Sequence, residues 1–165
     1  MPGAQFVLMG GRPAEIEALR SRARELGTAW SVFFSGTRPP EELGRFLALA
    51  SVLVSPRIKG ENTPFKIYTY LASGKPVVAT RIPTHTQLLD DSLAFLAEPT
   101  AEGLAGALRQ ALEQQDEARA RAERGLALVE REYSVARYRE KVARAYKEVE
   151  QRSRDPRLTG GRQSL

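Results

Sequence analysis

The stretch Pro64-Phe65-Lys66-Ile67-Tyr68-Thr69-Tyr70-Leu71-Ala72-Ser73-Gly74-Lys75-Pro76-Val77-Val78-Ala79-Thr80 decides the fold. Phe65, Tyr68, Leu71 and Ala72 recur at helical spacing and make one apolar stripe. Gly74 is the stop, because glycine accepts the left-handed backbone on which helices commonly end. Pro76 cannot continue the helix, and Val77-Val78-Ala79-Thr80 is a short run without polar alternation. Such a strand is buried on both faces, which requires a parallel sheet with helices above and below it.

Outward from this stretch the same unit repeats. Phe6-Val7-Leu8-Met9 is an apolar strand closed by Gly10-Gly11. Pro13 opens the next helix, where its missing N–H costs nothing. Ile16, Leu19, Ala23 and Leu26 form the face of that helix and Gly27 ends it. Val32-Phe33-Phe34 is a strand ended by Gly36, and Pro39-Pro40-Glu41-Glu42 opens a helix with Leu43, Phe46, Leu47 and Ala50 on one side. Val52-Leu53-Val54 and Leu93-Ala94-Phe95-Leu96 are the remaining strands. From Ala101 the strand signal ceases. Leu104, Leu108 and Leu112 mark one helix face, and a second helix runs to Tyr133. Ser134 caps a third carrying Val135, Tyr138, Val142, Tyr146 and Val149. These helices read as packed scaffolding. The predicted fold class is α/β, a Rossmann-like parallel sheet flanked by helices, with C-terminal helices.

The 165 residues are one domain's worth of chain, with 42% hydrophobic and 27% charged side chains, as in ordinary globular proteins. There is no cysteine, which excludes disulfides and thiolate metal sites, and His85 is the single histidine. The metal expectation is therefore none. No apolar run reaches the roughly 20 residues of a membrane span, so the expected location is cytoplasmic. The net charge is +5, but residues 151–165 hold Arg152, Arg154, Arg157 and Arg162 against Asp155 alone, leaving about +2 for residues 1–150. Residues 151–165 are expected to be a mobile basic tail, in the plain reading a solvated terminus. The alternative is a peripheral contact with the anionic inner face of a membrane. A near-neutral body without stacking or groove-reading motifs argues for no nucleic acid as partner.

In open parallel sheets ligands gather at the carboxyl ends of the strands. This points to Gly10–Pro13, Ser35–Arg38, Ser55–Phe65 and Thr80–Thr86, all rich in small polar residues, Pro and Arg. Gly10-Gly11-Arg12-Pro13 lacks the glycine spacing of a dinucleotide fingerprint. Ser73-Gly74-Lys75-Pro76 lies between helix and strand, the wrong order for a phosphate loop. No Gly-x-Ser-x-Gly elbow is present. Glu61, Asn62, Thr63 and Pro64 stand just before a helix whose amides and dipole favour an anion such as a diphosphate, and Lys66 lies in its first turn. The bland readings are an exposed loop acid for Glu61 and a solvated lysine for Lys66. His85, after Pro83-Thr84, reads as a plain turn residue, with a substrate contact as the alternative.

Ser55-Pro56-Arg57, Gly60-Glu61 and the stretch from Pro64 to Thr80 together resemble the signature segment of the group 1 (family 4) glycosyltransferases. In that segment a loop glutamate leads into a short helix and then an Ala-Cys/Ser-Gly-x-Pro-Val-Val-Ala turn. Phe6–Pro13 resembles the family's strand followed by Gly-x-Gly-Pro. Phe34–Leu43 resembles its Phe-x-Gly-x-x-Pro-x-x-Glu-Leu, and Tyr133–Tyr146 its closing helix beginning Phe/Tyr-Ser.

The resemblance implies the C-terminal, nucleotide-sugar-binding domain of the two-domain GT-B architecture over residues 1–150, lacking the family domain's first strand and helix. It implies a retaining transferase that moves a sugar from a UDP-sugar or GDP-sugar to an acceptor, with no cofactor required. An acceptor-binding N-terminal domain or partner chain would complete it. Glu61 takes the position of the glutamate near the donor sugar, the catalytic candidate. Donor contacts fall on Gly10, Gly11, Glu61, Asn62, Thr63, Pro64, Lys66 and Thr69, with Thr37 and Arg38 placed to flank the base. The family's second glutamate, separated from the first by seven residues, is Thr69 here. A carboxylate accepts from both ribose hydroxyls, whereas a threonine makes one neutral contact, a loss of roughly 1–3 kcal/mol if uncompensated. The diphosphate-clamping arginine and lysine of the missing segment are absent as well. The chain alone is expected to bind nucleotide weakly and to transfer sugar poorly. The rival reading is a degenerate, non-catalytic donor-like domain acting as scaffold or partner subunit. An uncovered strand edge also favours self-association.

Overall fold

The computed structural model describes residues 3–153. The described elements run β1 (Phe6–Met9), α1 (Pro13–Glu25), β2 (Val32–Gly36), α2 (Leu43–Leu49), β3 (Leu53–Ser55), α3 (Phe65–Ala72) and β4 (Val77–Thr80). They continue with α4 (Pro83–Thr86), β5 (Phe95–Ala97), α5 (Ala101–Glu113), α6 (Gln115–Glu132) and α7 (Val135–Ser153). Every strand pairing is parallel, β1 with β2, β3 with β4 and β4 with β5. The fold is α/β with parallel sheets flanked by helices, as the sequence predicts.

The two strand groups are separate. β1-β2 is one sheet and β3-β4-β5 another, whereas the sequence reading expects a single sheet. Within the described residues β1 and β3 each pair on one edge only. The effect shows in burial. All four residues of β4 are buried, because a strand lies on each side of it and helices cover both faces. β1 is equally apolar, yet Phe6 is 42% and Val7 56% exposed, and Phe33 of β2 is 64% exposed.

The core therefore sits around β4 and follows the twofold alternation of the strand. Val77 and Ala79 face Ile67 and Leu71 of α3, with Leu89 and Ala94. Val78 points the other way, with Phe95 and Ala97 of β5, onto Ala107 and Ala111 of α5 and Ala118 of α6. Small residues bring the helices close, and Gly125 of α6 sits against Leu71, where a Cβ would lie 2.7 Å from the Leu71 Cδ2. Arg121 clamps α6 to β5: its guanidinium lies 4.1 Å from the centre of the Phe95 ring and Nη1 donates to the Ala94 carbonyl at 2.8 Å.

Other details differ from the sequence reading. Pro40–Glu42 form a 3₁₀ turn ahead of α2, and Pro83–Thr86, read as a turn, form the short helix α4. β5 begins at Phe95, two residues later than expected. Ser134 does cap α7, its Oγ accepting from the Arg137 amide at 3.2 Å. The α7 stripe does not pack as scaffolding: Val135, Tyr138, Tyr146 and Val149 are all exposed. The helix extends to Ser153, into the first residues of the stretch expected to be a tail, and the rest of that stretch lies outside the described residues. No described helix is long and apolar enough to cross a membrane.

Candidate functional site

The site is built where β3 and β4 end side by side. Ser55 closes β3 and is fully buried, Pro56 turns the chain outward, and Arg57 begins the loop that reaches α3 at Pro64. This loop is folded around the Arg57 side chain. Its Nε donates to the Lys59 carbonyl at 2.8 Å and its Nη1 to the Asn62 carbonyl, also at 2.8 Å. Gly60 lies directly against the guanidinium, so that any Cβ there would overlap it. Thr63 Oγ1 donates to Gln87 Oε1 at 2.8 Å, tying the far end of the loop to the chain after α4.

Beneath the loop lies His85, which the sequence presents as a plain turn residue with a substrate contact as the alternative, and which the structure places in the short helix α4. It is completely buried, because α4 folds back under the ends of β3 and β4. The Thr80 carbonyl lies 2.8 Å from Nδ1 and can only accept, which assigns the imidazole proton to Nδ1. Nε2 then accepts from Ser55 Oγ at 3.0 Å. Thr80 Oγ1 donates to the Arg57 carbonyl. Desolvation holds His85 below the ordinary histidine value, and the nearby Lys66 and Arg57 charges add to this against the raising effect of the Thr80 carbonyl. His85 is thus a neutral bolt across the two strand ends. Burial of both hydroxyl partners leaves Ser55 no access to a substrate as a nucleophile.

Above it an open cleft of about 430 Å³ is lined by Pro56, Arg57, Pro64 and Lys66. Pro64 is the N-cap of α3 and Lys66 lies in the first turn, so helix amides and two cations border one space. Lys66 is exposed along much of its side chain, yet its ammonium is held below the ordinary lysine value, first by desolvation and then by Arg57. Neither cation has a carboxylate partner among the described ion pairs. The arrangement suits a multiply charged anion.

The candidates from sequence distribute unevenly. Pro64 and Lys66 line the cleft, and Glu61, Asn62 and Thr63 belong to the loop above it, Glu61 and Asn62 being exposed. Thr69 is exposed on α3. Gly10, Gly11, Thr37 and Arg38 lie at the carboxyl ends of β1 and β2, in the other sheet. Gly10 and Gly11 have φ of 87° and 97°, and the Gly10 amide donates to the Gly36 carbonyl at 2.8 Å. Arg38 is turned onto its own segment, with Nε to the Ser35 carbonyl at 3.1 Å and Nη1 4.0 Å from Glu42. No described hydrogen bond or ion pair joins this group to the cleft. Sequence reasoning passed over Arg57; the signal available was an arginine two residues after a strand end, followed three residues later by a glycine.

Parallel strands and helices on both faces of β4 define a Rossmann-like domain, and the cationic cleft lies at the carboxyl ends of its strands, where such folds commonly hold ligands. Residues 1–114 match the family described as "Glycosyl transferases group 1", and the chain belongs to that family.

The chain is 35% identical over 91 residues to the D-inositol 3-phosphate glycosyltransferase of Acidothermus cellulolyticus, covering 53% of this chain and 20% of that protein. Among solved structures, Anabaena Alr3699/HepE in complex with UDP superposes with a TM-score of 0.81 at 20% identity, over 90% of this chain and 42% of that one. The same protein with UDP-glucose gives 0.80. The C-terminal domain of the group 1 family protein LpcC from Francisella tularensis gives 0.67 at 15% identity, over 80% of this chain and 86% of that one. The fold is that of a GT-B C-terminal domain. The chain spans a fifth of the curated relative and less than half of HepE.

Proposed function

We propose that this chain is the donor-binding domain of a retaining glycosyltransferase that takes a UDP-sugar or GDP-sugar. The observation that carries the reading is the cleft bordered by Lys66 and the amino end of α3, which lies within the segment resembling the family signature. Amides, helix dipole and ammonium there would hold the diphosphate and stabilise it as it departs with the bonding electrons, an electrostatic task. Glu61, on the loop above, is proposed to meet the donor sugar, and Thr69 the ribose. The Anabaena relative was solved with UDP and with UDP-glucose, which favours uridine as the base. The acceptor would be held by a second domain or a partner chain. Among the described residues the outer edges of β1 and β3 are unpaired, which suits the additional strand that the family resemblance implies.

Titration of UDP, GDP and ADP into the chain, followed by backbone amide shifts, tests this. Saturable shifts in residues 57–69 for one base support donor binding and name the base. No shift with any nucleotide favours the second reading, a non-catalytic scaffold, which the threonine at position 69 already favours.

A further inference from the structure

We propose that Arg57 is the second cation of the anion site, gripping the donor diphosphate opposite Lys66. This rests on the donor-binding reading for the identity of the ligand, but the anion site itself is argued from the chain alone. Arg57 is held at both ends. Its carbonyl is bound by Thr80 Oγ1, which the buried His85 fixes in turn, and its guanidinium is bound by the Lys59 and Asn62 carbonyls at 2.8 Å each. Those two bonds use one proton of Nε and one of Nη1. Both protons of Nη2 and the second of Nη1 have no described partner, enough for a bidentate grip on phosphate oxygens.

The electrostatics point the same way. Two cations border a cleft of about 430 Å³, Arg57 depresses the Lys66 ammonium, and no carboxylate pairs with either among the described residues. Mutual repulsion at a partly desolvated place is costly unless an anion fills it. Loop and glycine fit this role. Gly60 lets the backbone pass against the guanidinium, and the two carbonyls immobilise a side chain that would otherwise lose rotamer freedom on binding.

The test measures inorganic pyrophosphate, UDP and uridine binding to the chain and to Arg57→Gln, Arg57→Lys and Gly60→Ala. Expected is a loss of about tenfold or more for pyrophosphate and UDP in Arg57→Gln, with partial recovery in Arg57→Lys and little change for uridine. Gly60→Ala, which displaces the guanidinium without changing charge, is expected to weaken pyrophosphate likewise. Equal pyrophosphate affinity in the native chain and Arg57→Gln overturns the proposal, as does a native chain that binds no pyrophosphate. A loss that Arg57→Lys does not relieve, and that uridine shares, assigns Arg57 to holding the loop and also overturns it. If pyrophosphate depends on Arg57 but neither UDP nor GDP binds more tightly than pyrophosphate, the donor reading falls while the anion site stands. If UDP binds and Arg57→Gln leaves it unchanged, the reverse holds.

Discussion

Nε2 of His85 and Oγ of Ser55 meet at 3.0 Å inside the protein, thirty residues apart in sequence and both with no exposed surface. The contact joins the end of β3 to the helix after β4. The loop above is tied to the same cluster, since Thr80 Oγ1 donates to the Arg57 carbonyl.

The first prediction concerns pH. The folded-state pKa of His85 lies below the ordinary value of 6.5. Between the two values the unfolded chain binds the proton and the folded chain does not, so stability rises with pH across that window. The contribution is full above about pH 6.5 and is lost as pH falls towards the folded value. His85 is the single histidine, and ordinary side-chain carboxyl values lie well below that window. Urea unfolding of the native chain is therefore expected to show a falling midpoint from about pH 7.5 to about pH 5.5. His85→Gln should flatten that slope. A slope retained in His85→Gln would show that another group is responsible.

Replacing His85 by Ala removes an acceptor from Ser55 and a donor from Thr80 in a closed space. The expected cost is about 2–4 kcal/mol in denaturant midpoint analysis, combining the cavity with unsatisfied partners. Amide shifts should spread to Arg57 and Ser55; shifts limited to α4 would contradict the bolt described above.

Gly125 admits Leu71 at the crossing of α3 and α6, and a Cβ there would stand 2.7 Å from the Leu71 Cδ2. Gly125→Val is expected to destabilise by about 1–3 kcal/mol through overpacking, measured by thermal or urea unfolding. Gly106 of α5, with no atom near its Cβ position, is the control: Gly106→Ala should be neutral or stabilising.

On the donor-binding proposal, Thr69 would offer the ribose a single hydroxyl. Thr69→Glu is expected to tighten nucleoside diphosphate binding by about tenfold, through charge-assisted bonds, while leaving pyrophosphate unchanged. Calorimetry on both ligands checks it. An equal gain or loss for both would show that position 69 does not face the nucleoside.

The exposed β1 edge predicts self-association. Sedimentation of the native chain should show a mass that rises with concentration, and Val7→Lys should suppress the rise, since an edge lysine opposes strand pairing. A native chain that stays monomeric at all concentrations would show that the edge is protected.

Much of this protein is settled by local rules acting on neighbouring residues. Glycines and prolines end and start elements through their own backbone preferences, and the apolar stripe of Phe65 to Ala72 followed by Val77–Thr80 specifies helix and strand by periodicity alone. The parallel α/β class and the placing of Pro64 and Lys66 beside one site follow from those rules. Local rules do not state which remote segments meet. That β1 and β3 form no ladder, that the α7 stripe stays uncovered, that His85 is buried and that Arg57 folds its own loop depend on contacts between residues far apart in the chain. Position 85 carries the same imidazole in a turn or a core. Only the closing of α4 beneath β3 and β4 removes it from water, and that desolvation makes it a neutral structural bolt.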